Sequence, residues 1–509
     1  MNWYLETIES NYGKSAMALY PCPGTNLFVT LPPGPLRGQI EINGRYFAIS
    51  GPNFYEVLQN GTPNLIGAVA NDQLPASMIA SPQQLLIASG GSLYWYQLQP
   101  QTNVNNTAVP IGGAVPATLL AGTFQQIPNT TFTLPGSGAP GSPSQVEYID
   151  GFFLVLLRNS QTIYISTPLD ASSWPPLQLL VVTVFSDNVQ GMIQNQRRLA
   201  VIGRKRSTTY YDSGSANIFD VDPSGTVENG MASVFGMCRL DNSIFWIDQD
   251  ERGNGIVRRN SGYTPVRISN HAIEFAMQGY PTIADCVAYP YQDQGHSFAV
   301  FYFPTANKTW VYDVATGQWH ERGYWNTNTG KFSAHKSQNH AFAFGMHLVG
   351  DPTSGNIYQM AIPSQTGGAW NFVTDSGNPI RRVRRSPHIS VENHWQFYNE
   401  LIVDVETGLG PEPPLRDGNG NPRAPQLLLK WSTDYAHTWS NEYALDCGQI
   451  GQYRSRARRS RMGRARDMVI ELSCSDPIGW RLIEGYIDVD GPAPYKPQQR
   501  LATTYGKVT

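Results

Sequence analysis

The 509-residue sequence is short of charge: Asp, Glu, Lys and Arg make up 15% of it, against roughly 25% in an average soluble chain. It also lacks the basic excess of a protein that grips nucleic acid over a whole domain. Its 36 basic residues face 39 acidic ones, for a formal net charge of -3, whereas affinity for phosphates comes from many Lys and Arg contacts releasing counterions together. Long apolar runs are missing too. GFFLVLL at 151–157 and LQLLVVTVF at 177–185 fall far short of the roughly 20 residues of a membrane helix and read as buried strands. The opening MNWYLETIESNYGKSAM has neither the basic segment nor the apolar core of a signal peptide, so assembly in a cytoplasm is expected. Cysteine is scarce: Cys22, Cys238, Cys286, Cys447 and Cys474 are odd in number and form no CxxC, which reads as free thiols with neither disulfide nor zinc.

Signatures of catalysis and ligand binding fail one by one. Gly13-Lys14-Ser15 ends like a phosphate loop, but Ile8 stands where the first glycine is needed. No GxSxG occurs. His335, His340 and His347 cluster, yet alternation through HAFAFGMH assigns His340 and His347 to opposite strand faces, which argues against a shared metal. DQDERGNG at 248–255 has acids at the first and third places of a calcium loop, but Arg252 takes the fifth, where an oxygen ligand is wanted. A solvated turn is expected there. Carboxylates able to cleave glycosides could still meet in space. No catalytic residue, metal or cofactor is assigned.

What is abundant is the vocabulary of strands and turns, with 48 Gly, 37 Pro, 26 Tyr and 12 Trp. An apolar or aromatic pair between turns recurs at Phe54-Tyr55, Leu93-Tyr94, Ile163-Tyr164, Tyr210-Tyr211, Phe245-Trp246, Val311-Tyr312 and Ile357-Tyr358. Most gaps approach the roughly 40 to 50 residues of a four-stranded propeller blade. Of the two longer gaps, the first holds TLPGSGAPGSPSQ, an insertion at about 101–145, and the second has room for a blade lacking the pair. KTWVYDVATGQWHERGYW at 308–325 is the clearest copy, with a turn at Ala315-Thr316-Gly317 and Trp319 opening the return strand. The expected fold is all-β. It comprises an extended Pro-rich arm over 1–36 without regular structure, a β-propeller of six or seven blades over 37–370, and a β-sandwich-like domain over 371–509.

Two motifs stand out in the C-terminal part. WSTDYAHTWS at 431–440 matches an Asp box at Ser432, Asp434, Thr438 and Trp439, with Ala436 in place of the glycine. The expected role is structural: a turn in which the carboxylate accepts backbone amides and the Trp packs beneath. YRSRARRSRMGRARD at 453–467 carries an arginine at nearly every second position. Read as a hairpin, it places Arg454, Arg456 and Arg458 on one face, while Met468, Ile470, Leu472 and Cys474 of the return strand face inward. Arg464 and Arg466 extend the basic set. A solvated face, a subunit seam matched to acidic loops and a channel lining for DNA phosphates are the three readings. The seam is the one expected.

The order of these segments, an Asp-box hairpin, Gly448 to Tyr453, a basic strand Arg454 to Arg461, a Gly463-Arg464 turn and an Asp476-Pro477 turn, resembles the C-terminal region of tail nozzle or hub proteins of short-tailed bacteriophages, the packaged-DNA stabilisation proteins. NLFVTLPPGPLRG followed by INGRYFAISGPNFYEV resembles that family's start. The resemblance implies a non-enzymatic virion protein assembled in the bacterial host, forming a ring, typically a hexamer, below the portal and head-to-tail adaptor proteins. That ring would hold packaged DNA until ejection and contact tail fibres or spikes, with non-specific contact to genomic DNA in its channel. Two alternatives of other classes remain open at this point: a glycan-binding or glycan-hydrolysing propeller of the sialidase kind, and a generic propeller scaffold for protein partners.

Overall fold

A computed structural model describes residues 1–7, 15–99, 101–102, 118–119, 121–215, 217–250, 252–490 and 500–501. The chain forms two compact bodies, one of residues 27–309 and 336–359, the other of 1–26, 310–335 and 360–509.

In the first body, antiparallel four-stranded sheets recur at 36–68, 77–127, 143–181, 189–221 and 237–267. A sixth begins with Val287–Asp293 and His296–Phe303, and a seventh with Asn339–Ala343 and Met346–Gly350. The leading strands of these seven sheets touch in succession, and the seventh touches the first. That closed cycle is a seven-bladed propeller. The second long gap, which had room for a blade lacking the pair, holds no extra blade among the described residues. Strands of blades five and six fill that gap, together with the helix His271–Gln278, which is capped by Asn270, whose side chain accepts from the Ile273 amide at 3.0 Å. The recurring pair marks the third strand of blades one to four and of blade seven, but the second strand of blade five.

Closure of the ring uses the two ends of the propeller sequence. The Leu31 amide donates to the Gly355 carbonyl at 2.7 Å, and the Thr30 hydroxyl donates to Asn356 Oδ1 at 2.7 Å. Leu31 itself is fully buried among Leu36, Tyr46, Ala48 and Ile357. Neighbouring blades are further stapled by side chains on or next to the leading strands. Gln39 donates to the Leu348 carbonyl, Gln338 to the Leu36 carbonyl, and Arg239 to the Gln194 carbonyl at 2.9 Å. These bonds satisfy backbone carbonyls that radially splayed sheets leave unpaired.

The expected insertion is smaller than its boundaries. Phe124–Ile127 is the outer strand of blade two and Pro143–Ile149 leads blade three; residues 103–117 and 120 lie outside those described.

The second body is a β-sandwich. One sheet runs Trp3–Thr7, Met17–Pro21, Leu482–Asp490, Gln396–Val405, Ala457–Ala465, and the other Arg382–Arg385, Val469–Cys474, Gln426–Ser432, Tyr443–Asp446. Their inner faces share a core that includes Tyr398, Leu401, Leu429, Met462, Met468 and Trp480. The N-terminal arm is therefore not irregular, as its prolines suggested. Trp3 pairs with Pro21 and Leu19 with Leu482, because the prolines cluster from residue 21 onward and leave 3–7 and 17–20 free to donate to a ladder. Asn2 is fully buried and fixes this end: its Nδ2 donates to the carbonyls of Gly323 and Arg381, at 2.9 and 2.8 Å, and its Oδ1 accepts from the Gly323 amide at 2.8 Å.

Candidate functional site

The arginine stretch is not a hairpin. Ala457–Ala465 pairs with Gln396–Val405, whereas Val469–Cys474 pairs with strands of the opposite sheet. The chain crosses between sheets at Arg466 and Asp467. The inward residues explain the crossing: Ala457, Met462 and Ala465 on one side, and Met468, Ile470 and Cys474 on the other, are all buried in the same core, which two strands of one sheet could not enclose. Met468, Ile470 and Cys474 do face inward as expected, with Leu472 packed against them.

Nor do Arg454, Arg456 and Arg458 share a strand face. Arg454 and Arg456 are exposed in the turn before the strand, and only Arg458 lies on it, with Nη1 3.7 Å from Glu400 Oε1. Arg461 takes a left-handed φ of 60° at a bulge opposite Tyr398 and Glu400, which shifts the alternation and turns Met462 inward. The expected Gly463-Arg464 turn is thus strand. Arg459 is drawn onto the Tyr443 ring, 3.9 Å from its centroid.

Sequence reasoning missed the most distinctive surface feature. Arg464 stands directly across from Phe397, its guanidinium 5.2 Å from that ring and 4.8 Å from Trp395; Arg466 lies 5.1 Å from Trp395 on its own side. Trp395 and Phe397 are 44% and 54% exposed. Hydrophobicity pointed the wrong way here, since Gln396 between them is buried. The sequence signal was the two aromatics Trp395 and Phe397 two residues apart in HWQFYNE.

At the Asp box, Ser432 Oγ donates to Asp434 Oδ1 at 2.7 Å, Thr438 Oγ1 donates to Oδ2 at 2.6 Å, and the Thr438 amide donates to Oδ1 at 2.8 Å. These bonds, the Ser432 one foremost, hold the Asp434 carboxyl well below the usual carboxylate range. Tyr435 and Ala436 carry φ of 61° and 68°, so the missing glycine is answered by strain. Trp439 does not pack beneath the turn. It is half-buried between Arg385 and Lys430, each 5.1 Å from its ring, and both cations pair with the buried Glu471 at 2.5 and 2.8 Å.

His340 and His347 meet, contrary to the parity argument. Nε2 of one lies 3.0 Å from Nδ1 of the other. A tight turn at Phe344-Gly345 folds the strand back, so Phe342 pairs with His347 and alternation restarts on the same face. With ring centroids 5.2 Å apart, the two nitrogens point at each other and share a hydrogen bond. Burial pushes His340 down to about 3, helped by His347, and lowers His347 too, so the pair is neutral. His335 lies in the other body, 3.8 Å from Asp375.

In DQDERGNG, Asp250 accepts from the amides of Arg252 and Asn254 at 2.9 and 2.7 Å, closing a turn. Among the described residues no group of three or more His, Cys, Asp or Glu could hold a metal ion. Gly13 and Lys14 lie outside the described residues. All five cysteines are free and buried, and no described helix is long and apolar enough to cross a membrane.

The propeller axis encloses about 790 Å³, walled by the seven leading strands. That is the scale of a small-molecule cavity, roughly 300–1,000 Å³, and Glu147 and Arg239 project into it. Burial pushes the Glu147 carboxyl up to about 7, against the pull of Arg239 and of the Tyr148 amide, which donates to it at 3.3 Å.

Comparison with known proteins adds the following. The family model described as bacteriophage P22 Gp10, beta-propeller, matches residues 3–364, and that described as bacteriophage P22 Gp10, beta-sandwich, matches 381–478. No curated protein matches the chain. Solved structures similar to it include the N-terminal domain of Nup159, at 10% identity over 70% of this chain and 97% of that one, TM-score 0.39. The extracellular domain of the putative one component system BT4673 from B. thetaiotaomicron matches at 9% identity over 85% and 48%, TM-score 0.41. Virginiamycin B lyase from Staphylococcus aureus matches at 8% over 70% and 99%, TM-score 0.39.

Proposed function

Because the chain belongs to the bacteriophage P22 Gp10 family, structural proteins of the phage tail that stabilise packaged DNA, we propose that it forms the tail nozzle. In this reading, copies assemble into a closed ring, six in number, that continues the DNA path below the portal and adaptor. The ring retains the genome until ejection and anchors fibres or spikes. The observation that carries the reading is the match of both the propeller and the sandwich, in order, along nearly the whole chain.

The site geometry is compatible with a structural role. The Asp-box carboxylate is consumed by its own turn, and the histidine pair by its own hydrogen bond. A cavity of about 790 Å³ along the propeller axis is small beside a DNA duplex, which supports a DNA path between copies. Arg454, Arg456, Arg458, Arg464 and Arg466 are all exposed, as contact with a neighbouring copy or the DNA requires. Cyclic contacts of one surface with a different surface of the next copy close into such rings.

The experiment is electron microscopy with light scattering on the purified protein, alone and with portal-adaptor complexes. Rings with an axial hole are expected. A strict monomer under both conditions would overturn the reading.

A further inference from the structure

We infer that Trp395, Phe397, Arg464 and Arg466 form the anchoring half of the seam between copies, docking on a carboxylate-bearing face of a second copy of this chain. The inference rests on the ring reading and adds to it which surface makes the contact and what chemistry it seeks.

The first ground is what the four side chains are. Trp and Phe lie about half exposed side by side on the outer face, at the end of the sheet whose edge strand is Ala457–Ala465. Each ring is covered by a guanidinium, 4.8 to 5.2 Å from centroid to Cζ. An Arg stacked in this way has already lost much of its side-chain freedom and still presents its N–H edge. Neither Arg464 nor Arg466 has a carboxylate partner among the described residues, while Arg458 on the same strand has Glu400. Trp, Phe and Arg are the residues enriched at the desolvated centre of protein interfaces.

The second ground is charge complementarity within the chain itself. Seven of the 36 basic residues fall within 454–466, a stretch with no acid, so the remainder holds 29 basic against 39 acidic residues. The patch is thus a local positive island on a chain that is otherwise distinctly acidic. A head-to-tail contact of identical copies brings that island against an acidic surface, which sets register and suppresses wrong pairings. A channel wall for duplex DNA would use the charges alone. Exposed Trp and Phe add nothing to phosphate contacts, which are made by charge and hydrogen bonding.

Two double variants separate these possibilities: Trp395→Ala with Phe397→Ala, which removes the platforms and leaves the charge, and Arg464→Glu with Arg466→Glu, which reverses it. Both sets of side chains are exposed, so the fold should survive, as judged by circular dichroism. Arg464→Lys with Arg466→Lys serves as the variant that keeps charge and fold while losing the planar fork. Ring stability is read by light scattering and mass photometry across a dilution series. The aromatic and charge-reversal variants should each weaken assembly at least 100-fold, and the lysine variant by about tenfold.

Rings of both double variants as stable as those of the wild-type chain would overturn this inference and leave the ring reading standing. Intact rings in the aromatic variant, with genome loss confined to charge-reversed virions, would overturn it in favour of a channel wall. A wild-type chain that never forms rings would defeat both readings.

Discussion

At the scale of single residues, two positions carry stresses that can be measured. Ala436 sits at a φ of 68° where the motif prefers glycine, a conformation costing an L-residue about 1–2 kcal/mol. Ala436→Gly should stabilise the protein by about 0.5–1 kcal/mol after allowing for the greater freedom of glycine in the unfolded chain, visible as a higher denaturant midpoint; an unchanged midpoint would mean that the turn is not strained. Glu147 has its carboxyl raised to about 7 from an ordinary 4.5. The folded state therefore favours its protonated form. That contribution is fully present below pH 4.5 and is lost as pH rises through 7. At about 1.4 kcal/mol per pH unit, discounted because the group still meets solvent in the channel, Glu147→Gln should gain about 1–2 kcal/mol over the natural protein at pH 8. At pH 4 the two should be equal. Thermal unfolding at the two pH values checks this, and equal differences at both would remove Glu147 as the cause.

At the scale of elements, the propeller depends on a closure between segments more than 300 residues apart. Leu31 is fully buried where the N-terminal segment meets Gly355. Leu31→Ala should cost about 2–4 kcal/mol, as for other large-to-small core changes, measured as a lower midpoint for a propeller probe such as Trp95 or Trp246 fluorescence. A loss below about 0.5 kcal/mol would show that the closure bears little of the fold's stability. Blades were legible because each is a local unit: a meander with its own turns, written over about 40 residues. Where an element depended on partners distant in sequence, legibility failed. The bulge at Arg461 cannot be seen in alternating arginines, because nothing local says which residue is skipped. The reunion of His340 and His347 was missed because alternation was counted through a turn that reverses the strand.

At the scale of the whole molecule, the exposed turn arginines test what the basic stretch is for. Arg456→Glu with Arg458→Glu should leave the fold intact, since neither contributes to the core, and should abolish rings through like-charge contacts at the seam. Rings that form normally, in virions whose DNA retention fails with a salt-dependent defect, would move these two residues to the channel. Unchanged rings and unchanged retention would make them solvated charges. Light scattering and DNA retention at two salt concentrations distinguish the three.

The sequence by itself determined the all-β class, the propeller followed by a sandwich, and the family, through segments whose turn and strand signals are contiguous. Only the tertiary structure decided that there are seven blades, that the N-terminal arm is woven into the sandwich, and that the arginine strand and the strand after it lie in opposite sheets. It alone showed Gln396 buried while Trp395 and Phe397 remain outside under Arg464 and Arg466. The reason is common to all four. Each depends on which distant strand lies alongside, and burial of a residue is a property of that neighbour as much as of the residue itself.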